Sequence, residues 1–195
     1  LLSARLSANE SAAIATLRDL ISAQSQFQKR AAADDDSDGL GEYGVFAELS
    51  GRVGVRGGAV IKPVVFTTSF QGVNAQGEAA ASGYQFRVYL PDIAGAGLGE
   101  VPGGGVAAGV DPDLAENIWC GYAWPTNYQQ SGVRTFFVNQ GGDIVFAVNE
   151  GYSGPGNGPQ AGAAMRNGGA ATSITGIVAT GTTGRDGNFW RTVGN

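Results

Sequence analysis

Residues 3–30 contain neither glycine nor proline, in a chain where 33 of 195 residues are glycine. An average globular sequence holds about 7% glycine, so the contrast separates one stretch that can stay helical from a remainder punctuated by turns. Within the stretch, Leu6, Ala13, Leu17, Leu20, Ile21 and Phe27 recur at helical spacing and form one apolar stripe. Arg5, Asn9, Glu10, Arg18, Gln24 and Gln28 are read onto the other faces. Lys29 and Arg30 fall in the last turn, where cations suit the helix dipole. The pattern predicts a surface helix over 3–30 that covers a sheet.

Beyond residue 50, glycine and proline recur every few residues and the apolar runs become short and β-branched. "YGVFAEL" reads as a short second helix or turn ending near Ser50-Gly51. The expected strands are Tyr84–Leu90, Val133–Asn139, Asp143–Val148, Ser173–Thr180 and Asn188–Val193. "VRTFFVNQGGDIVFAV" is a hairpin signal, because Gly141 and Gly142 can take positive φ between two apolar runs. Stretches 95–109 and 151–169 are Gly-, Ala- and Pro-rich loops. A helix followed by antiparallel strands is an α+β pattern. We expect residues 1–30 as the N-terminal helix and 31–195 as a head that forms a single domain with the helix's C-terminal half.

Composition removes several function classes. The sequence has no histidine, which excludes a His-dependent triad. G-x-S-x-G and P-loop signatures are missing, and Gly103–Ala108, a formal G-x-G-x-x-A match, does not directly follow a strand. With Lys29 and Lys62 the only lysines and a net charge of −5, no basic cluster is available for nucleic acid. The single cysteine, Cys120, reads as a core residue. Trp119, Tyr122, Trp124 and Tyr128 are a dense aromatic group, read first as a core edge and second as a platform for a sugar or a partner. The expectation is a protein that is not an enzyme.

"DDDSDGLGE" is the one stretch that points to chemistry. Asp34, Asp36 and Asp38 alternate and are followed by Gly39, the D-x-D-x-D-G opening of a calcium loop. Alternation turns three carboxylates toward one hard cation, the Leu40 carbonyl takes the seventh position, and Glu42 takes the ninth. The twelfth position is Val45 rather than a bidentate glutamate, so Glu42, Glu48 or water is left to close the site. These acids follow the negative end of a helix, where carboxylates are unfavourable unless neutralised. A structural calcium ion is expected, against the alternative of a solvated acidic turn.

"ANESAAIATLRDLISAQSQFQ" resembles the helix of type IV pilin-like proteins, particularly bacterial pseudopilins. The "GEYG" loop, "SGYQFRVYLP", "GYAWPTNYQQSGVRTFFVNQGGDI" and the terminal "DGNFW" extend the likeness over most of the chain. The resemblance implies a helix on an antiparallel sheet, export to the cell surface, and polymerisation into a helical homopolymer or a secretion pseudopilus. It also implies an apolar segment preceding Leu1, which the sequence does not contain and which would make the sole membrane contact. Leu1, Leu2, Leu6 and Ala13 are then the expected assembly residues. The competing expectation is a calcium-dependent cell-surface module binding glycans or proteins through Trp119–Trp124.

Overall fold

A computed structural model describes residues 1–194. The 28-residue helix α1, Leu2–Lys29, is followed by the single-turn helix α2, Phe46–Leu49. Two 3₁₀ turns, Val55–Gly57 and Thr68–Phe70, lead into the sheet. The strands are β1 Ala79–Ala81, β2 Tyr84–Pro91, β3 Gly97–Gly99, β4 Cys120–Pro125, β5 Arg134–Asn139, β6 Val145–Val148, β7 Thr182–Thr183 and β8 Phe189–Thr192. A third short helix, α3, spans Pro112–Ala115 between β3 and β4.

All the strand pairs are antiparallel, in the order β1-β2-β4-β5-β6-β8-β7, with β3 sharing the outer edge of β2 with β1. The α+β class is therefore correct, in a chain that is mostly sheet and loops. Asn139 and Gly142 close the β5–β6 hairpin at Gln140–Gly142, where Gly142 has φ +84°.

The sheet is covered on both faces. Successive side chains of a strand point to opposite sides, so Phe86, Val88, Leu90, Ala123, Phe136 and Val138 meet Leu17, Leu20, Ala23 and Phe27 of α1. Tyr89, Tyr122, Trp124 and Phe137 face the other way, onto Ala161, Ala163, Met165, Ile174 and Trp190. That second cover is supplied largely by residues 151–181, a run almost without strands. It lies close enough to the sheet that a Cβ on Gly158 would sit 2.6 Å from the Trp124 ring. Burial on both faces explains why β2, β4 and β5 show no alternation of buried and exposed residues.

Three expectations change here. Ser173–Thr180 is not a strand. Its apolar residues Ile174 and Ala179 fill the second cover, and only isolated bridges at Ser173 and Val178 tie it to other chain segments. Strand β4 is the centre of the aromatic group, so Trp119, Tyr122 and Trp124 are buried to within 1% exposure and leave no stacking face for a sugar. On α1, Glu10 and Gln24 belong to the covered face rather than the polar one. Glu10 accepts from the Val133 and Arg134 N–H groups and pairs with Arg134 Nε at 2.7 Å. Gln24 is fully buried and exchanges two hydrogen bonds with the Gly44 backbone at 2.8 and 2.9 Å. These polar clamps pin the helix to β5 and to the chain that returns from the acidic loop.

Phe27 is fully buried near the end of α1. Phe27→Ala should destabilise the chain by about 3–5 kcal/mol in denaturant unfolding; a loss under about 1 kcal/mol would contradict this packing.

Candidate metal centre

Helix α1 ends with Ala31 in a left-handed conformation at φ +45°. Ala31 N donates to Gln28 O and Ala32 N to Phe27 O, the bonding of a Schellman cap with alanine where glycine is usual. This cap turns the chain sharply into the acidic loop. Glu42 N returns to Ala33 O at 3.1 Å and closes the loop at its base. Gly41 is required at the return, because a Cβ there would lie 1.9 Å from Gln28 O.

Inside the loop, carboxylates bond to the loop's own backbone. Gly39 N donates to Asp34 Oδ2, Asp38 N to Asp36 Oδ1, and Leu40 N to Asp38 Oδ1 at 2.7 Å. Carboxylate oxygens of Asp34, Asp36 and Asp38 lie within 4.8 Å of one another. The three residues taken from the D-x-D-x-D-G spacing thus converge. Asp34 Oδ1 is buried and has no hydrogen-bond partner.

Glu42 is not brought into this group. It is 1% exposed, accepts from Asp35 N at 2.6 Å, and is held by Arg56 at 2.8 Å. Glu48 is drawn to the same guanidinium at 2.5 Å. Arg56 also reaches Asp35 at 3.4 Å and donates to Tyr43 O. Two nearly sealed carboxylates therefore consume the cation nearest the loop. Both residues named as candidates to close the site, Glu42 and Glu48, are committed to Arg56. Leu40 is exposed beside the cluster.

A second acidic group completes the surroundings. Tyr43 N donates to Ala115 O at 2.8 Å and brings α3 against the loop. Asp111 caps α3 through Leu114 N, and Asp111 N hangs the helix on Pro91 O at the end of β2. Asp113 and Glu116, one turn apart, then put carboxylate oxygens within 4.8 Å of each other and of Asp36. Hydrogen bonding to Asp36, and then Asp36's charge, hold Asp113's carboxyl above its ordinary range. Burial, and then the charges of Asp38, Asp36 and Asp113, do the same for Glu116. Sequence reasoning missed this pair. The tie from Tyr43 to Ala115 joins segments 72 residues apart, which no local spacing reveals.

Among the described residues, the ion pairs are those of Arg56 with Asp35, Glu42 and Glu48, and that of Arg134 with Glu10. None reaches Asp34, Asp36, Asp38, Asp113 or Glu116. A separate buried carboxylate, Glu100, accepts from Phe46 N, Ala47 N and Gly105 N, and burial pushes its pKa up to about 7. It anchors α2 to the 100–105 turn and takes no part in the acidic group.

A family model described as "Protein of unknown function (DUF2950)" matches residues 1–155. The chain belongs to this family. No curated protein and no solved structure matches it. The DUF2950 match overturns the pilin and pseudopilin resemblance. The motifs behind that likeness have a local cause in this DUF2950 chain: Glu10 and Gln24 recur on the helix because they clamp β5 and Gly44, and the apolar stripe because it covers a sheet. Of the four expected assembly residues, Leu1 and Leu2 are exposed and Leu6 is half-buried. Ala13 is sealed in the subunit's own core and is not available to another chain. Among the described residues, no helix is long and apolar enough to cross a membrane.

Arg56→Met would leave Glu42 and Glu48 buried without a counter-charge. The variant should lose about 3–5 kcal/mol in equilibrium unfolding at neutral pH, and a loss below about 1 kcal/mol would contradict the role given to Arg56.

Proposed function

We propose that this DUF2950 chain is a non-enzymatic structural module stabilised by calcium, working outside the cytoplasm where the ion is millimolar. The observation that carries the reading is the convergence of Asp34, Asp36 and Asp38 within 4.8 Å with no cationic side chain among them. Calcium sits about 2.4 Å from its oxygen ligands, so it can bridge oxygens about 4.8 Å apart. Without a cation, each carboxylate pair at that separation repels by roughly 1 kcal/mol even under water-like screening. A hard divalent cation with an all-oxygen preference removes this repulsion. Asp34 Oδ1, buried and unpartnered, gains a partner. The Leu40 carbonyl and water supply further oxygens in this reading, and Glu42 does not, because Arg56 holds it.

The role is structural because the chain has few groups able to perform chemistry. Histidine is absent from the sequence. Cys120 is fully buried, and burial raises its thiol pKa far above the range where a thiolate forms. Glu100, the carboxylate with a pKa near neutrality, is occupied by three backbone N–H groups. The glycan reading is not carried forward, because Trp119 and Trp124 are buried. Filament assembly rested on the pilin resemblance and is not carried forward either.

Calcium bound to the folded chain alone must stabilise it by mass action, by about 2.7 kcal/mol at a free concentration one hundredfold above Kd. For a domain of this size that raises Tm by about 5–10 °C. The reading predicts such a rise between chelator and millimolar calcium, absent in Asp36→Asn/Asp38→Asn; equal melting in chelator and calcium would contradict it.

A further inference from the structure

We infer that the acidic cluster holds two divalent cations, the second bound by Asp36, Asp113 and Glu116, with Asp36 bridging it to the first. This rests on the calcium reading of the loop and extends it to a site that the D-x-D-x-D-G spacing does not encode. Three observations carry it.

The first is geometric. Asp34, Asp36 and Asp38 converge as one group, and Asp36, Asp113 and Glu116 as another. Asp36 belongs to both, while the other four residues are divided between them. One ion cannot take ligands from all five residues in this arrangement, whereas two ions can share Asp36 through its two oxygens.

The second observation points to a missing ligand. Glu116 is 8% exposed, and its Oε1 is buried with no hydrogen-bond partner. A carboxylate oxygen buried without a donor is costly, and native structures satisfy nearly all such atoms. The same side chain contributes an oxygen to the group with Asp36 and Asp113, both of them exposed. A cation at that point gives Glu116 its partner, and water fills the rest of calcium's six to eight oxygen positions.

The third is electrostatic. Five carboxylates make up the two groups, and Arg56, beside the loop, pairs with Asp35, Glu42 and Glu48 instead. One calcium leaves most of the five charges uncompensated, whereas two nearly balance them. Helix α3 is held in place by its Asp111 cap, its bond to Pro91 O and the Tyr43–Ala115 tie. The second ion would therefore bind between two backbone segments that are already positioned.

Calcium binding to the full chain, measured by titration calorimetry and equilibrium dialysis with calcium alone, tests the inference. The wild-type chain should bind two ions. The isosteric variant Asp113→Asn/Glu116→Gln should bind one, with a near-UV circular dichroism spectrum in chelator unchanged from wild type. Adding Asp38→Asn to that variant should remove the remaining ion. A wild-type stoichiometry of one overturns the inference, as do two ions that persist in the double variant. If a single ion is bound and survives Asp113→Asn/Glu116→Gln, the loop reading stands and only the second site fails. If wild type binds none at millimolar calcium, both fail together.

Discussion

Arg56 sets the charge distribution on which the acidic end of the molecule depends. Its guanidinium makes four hydrogen bonds, to Glu42, Glu48 and Tyr43 O. Its backbone N–H gives Glu48 one more. That cluster gives an inner layer of carboxylates under the loop a shared counter-charge and hydrogen-bond donors, and fixes the base from which the loop projects. It also leaves the outer layer, Asp34, Asp36, Asp38, Asp113 and Glu116, without a cationic side chain among the described residues. An inner pair satisfied by the protein and an outer group left to solvent and ions is the division that gives the cation reading its physical basis.

The rest of the fold delivers these two layers to one place. The antiparallel sheet is packed on both sides, by α1 and by the Gly- and Ala-rich chain of residues 151–181. Because α1 is clamped to β5 by Glu10 and to Gly44 by Gln24, its C-terminal end has a fixed position. The alanine cap at residue 31 then determines where the loop points. From the sheet side, β2 ends at Pro91 and holds α3 through Asp111 N. A cation between the loop and α3 would therefore connect the helix layer to the sheet layer at the place where like charges oppose their contact.

How much of this was legible in the sequence differs from residue to residue. The long helix was, because twenty-eight residues without glycine or proline and with a regular apolar stripe leave little alternative. The β5–β6 hairpin was legible from its Gly-Gly turn between apolar runs. Strand β4 was not, because "CGYAWP" mixes glycine, proline and aromatics and lacks alternation once both faces are buried. The expected strand at Ser173–Thr180 misled for the complementary reason: a loop that covers a core must be as apolar as a strand. Glu10 and Gln24 show the limit of periodicity, since a polar residue on the covered face is invisible until its partner is known. In the site, Asp34, Asp36 and Asp38 were readable from spacing, whereas the diversion of Glu42 to Arg56 and the arrival of Asp113 and Glu116 are products of tertiary contact alone.

The most direct test of the account is hydrogen exchange of the full chain with and without calcium, read segment by segment. The account predicts that millimolar calcium slows exchange in residues 34–43 and in 112–117 together, and leaves the β4–β5 core as it was. Unchanged exchange in both segments, or slowing spread evenly over the molecule, would contradict the claim that an ion joins the acidic loop to α3.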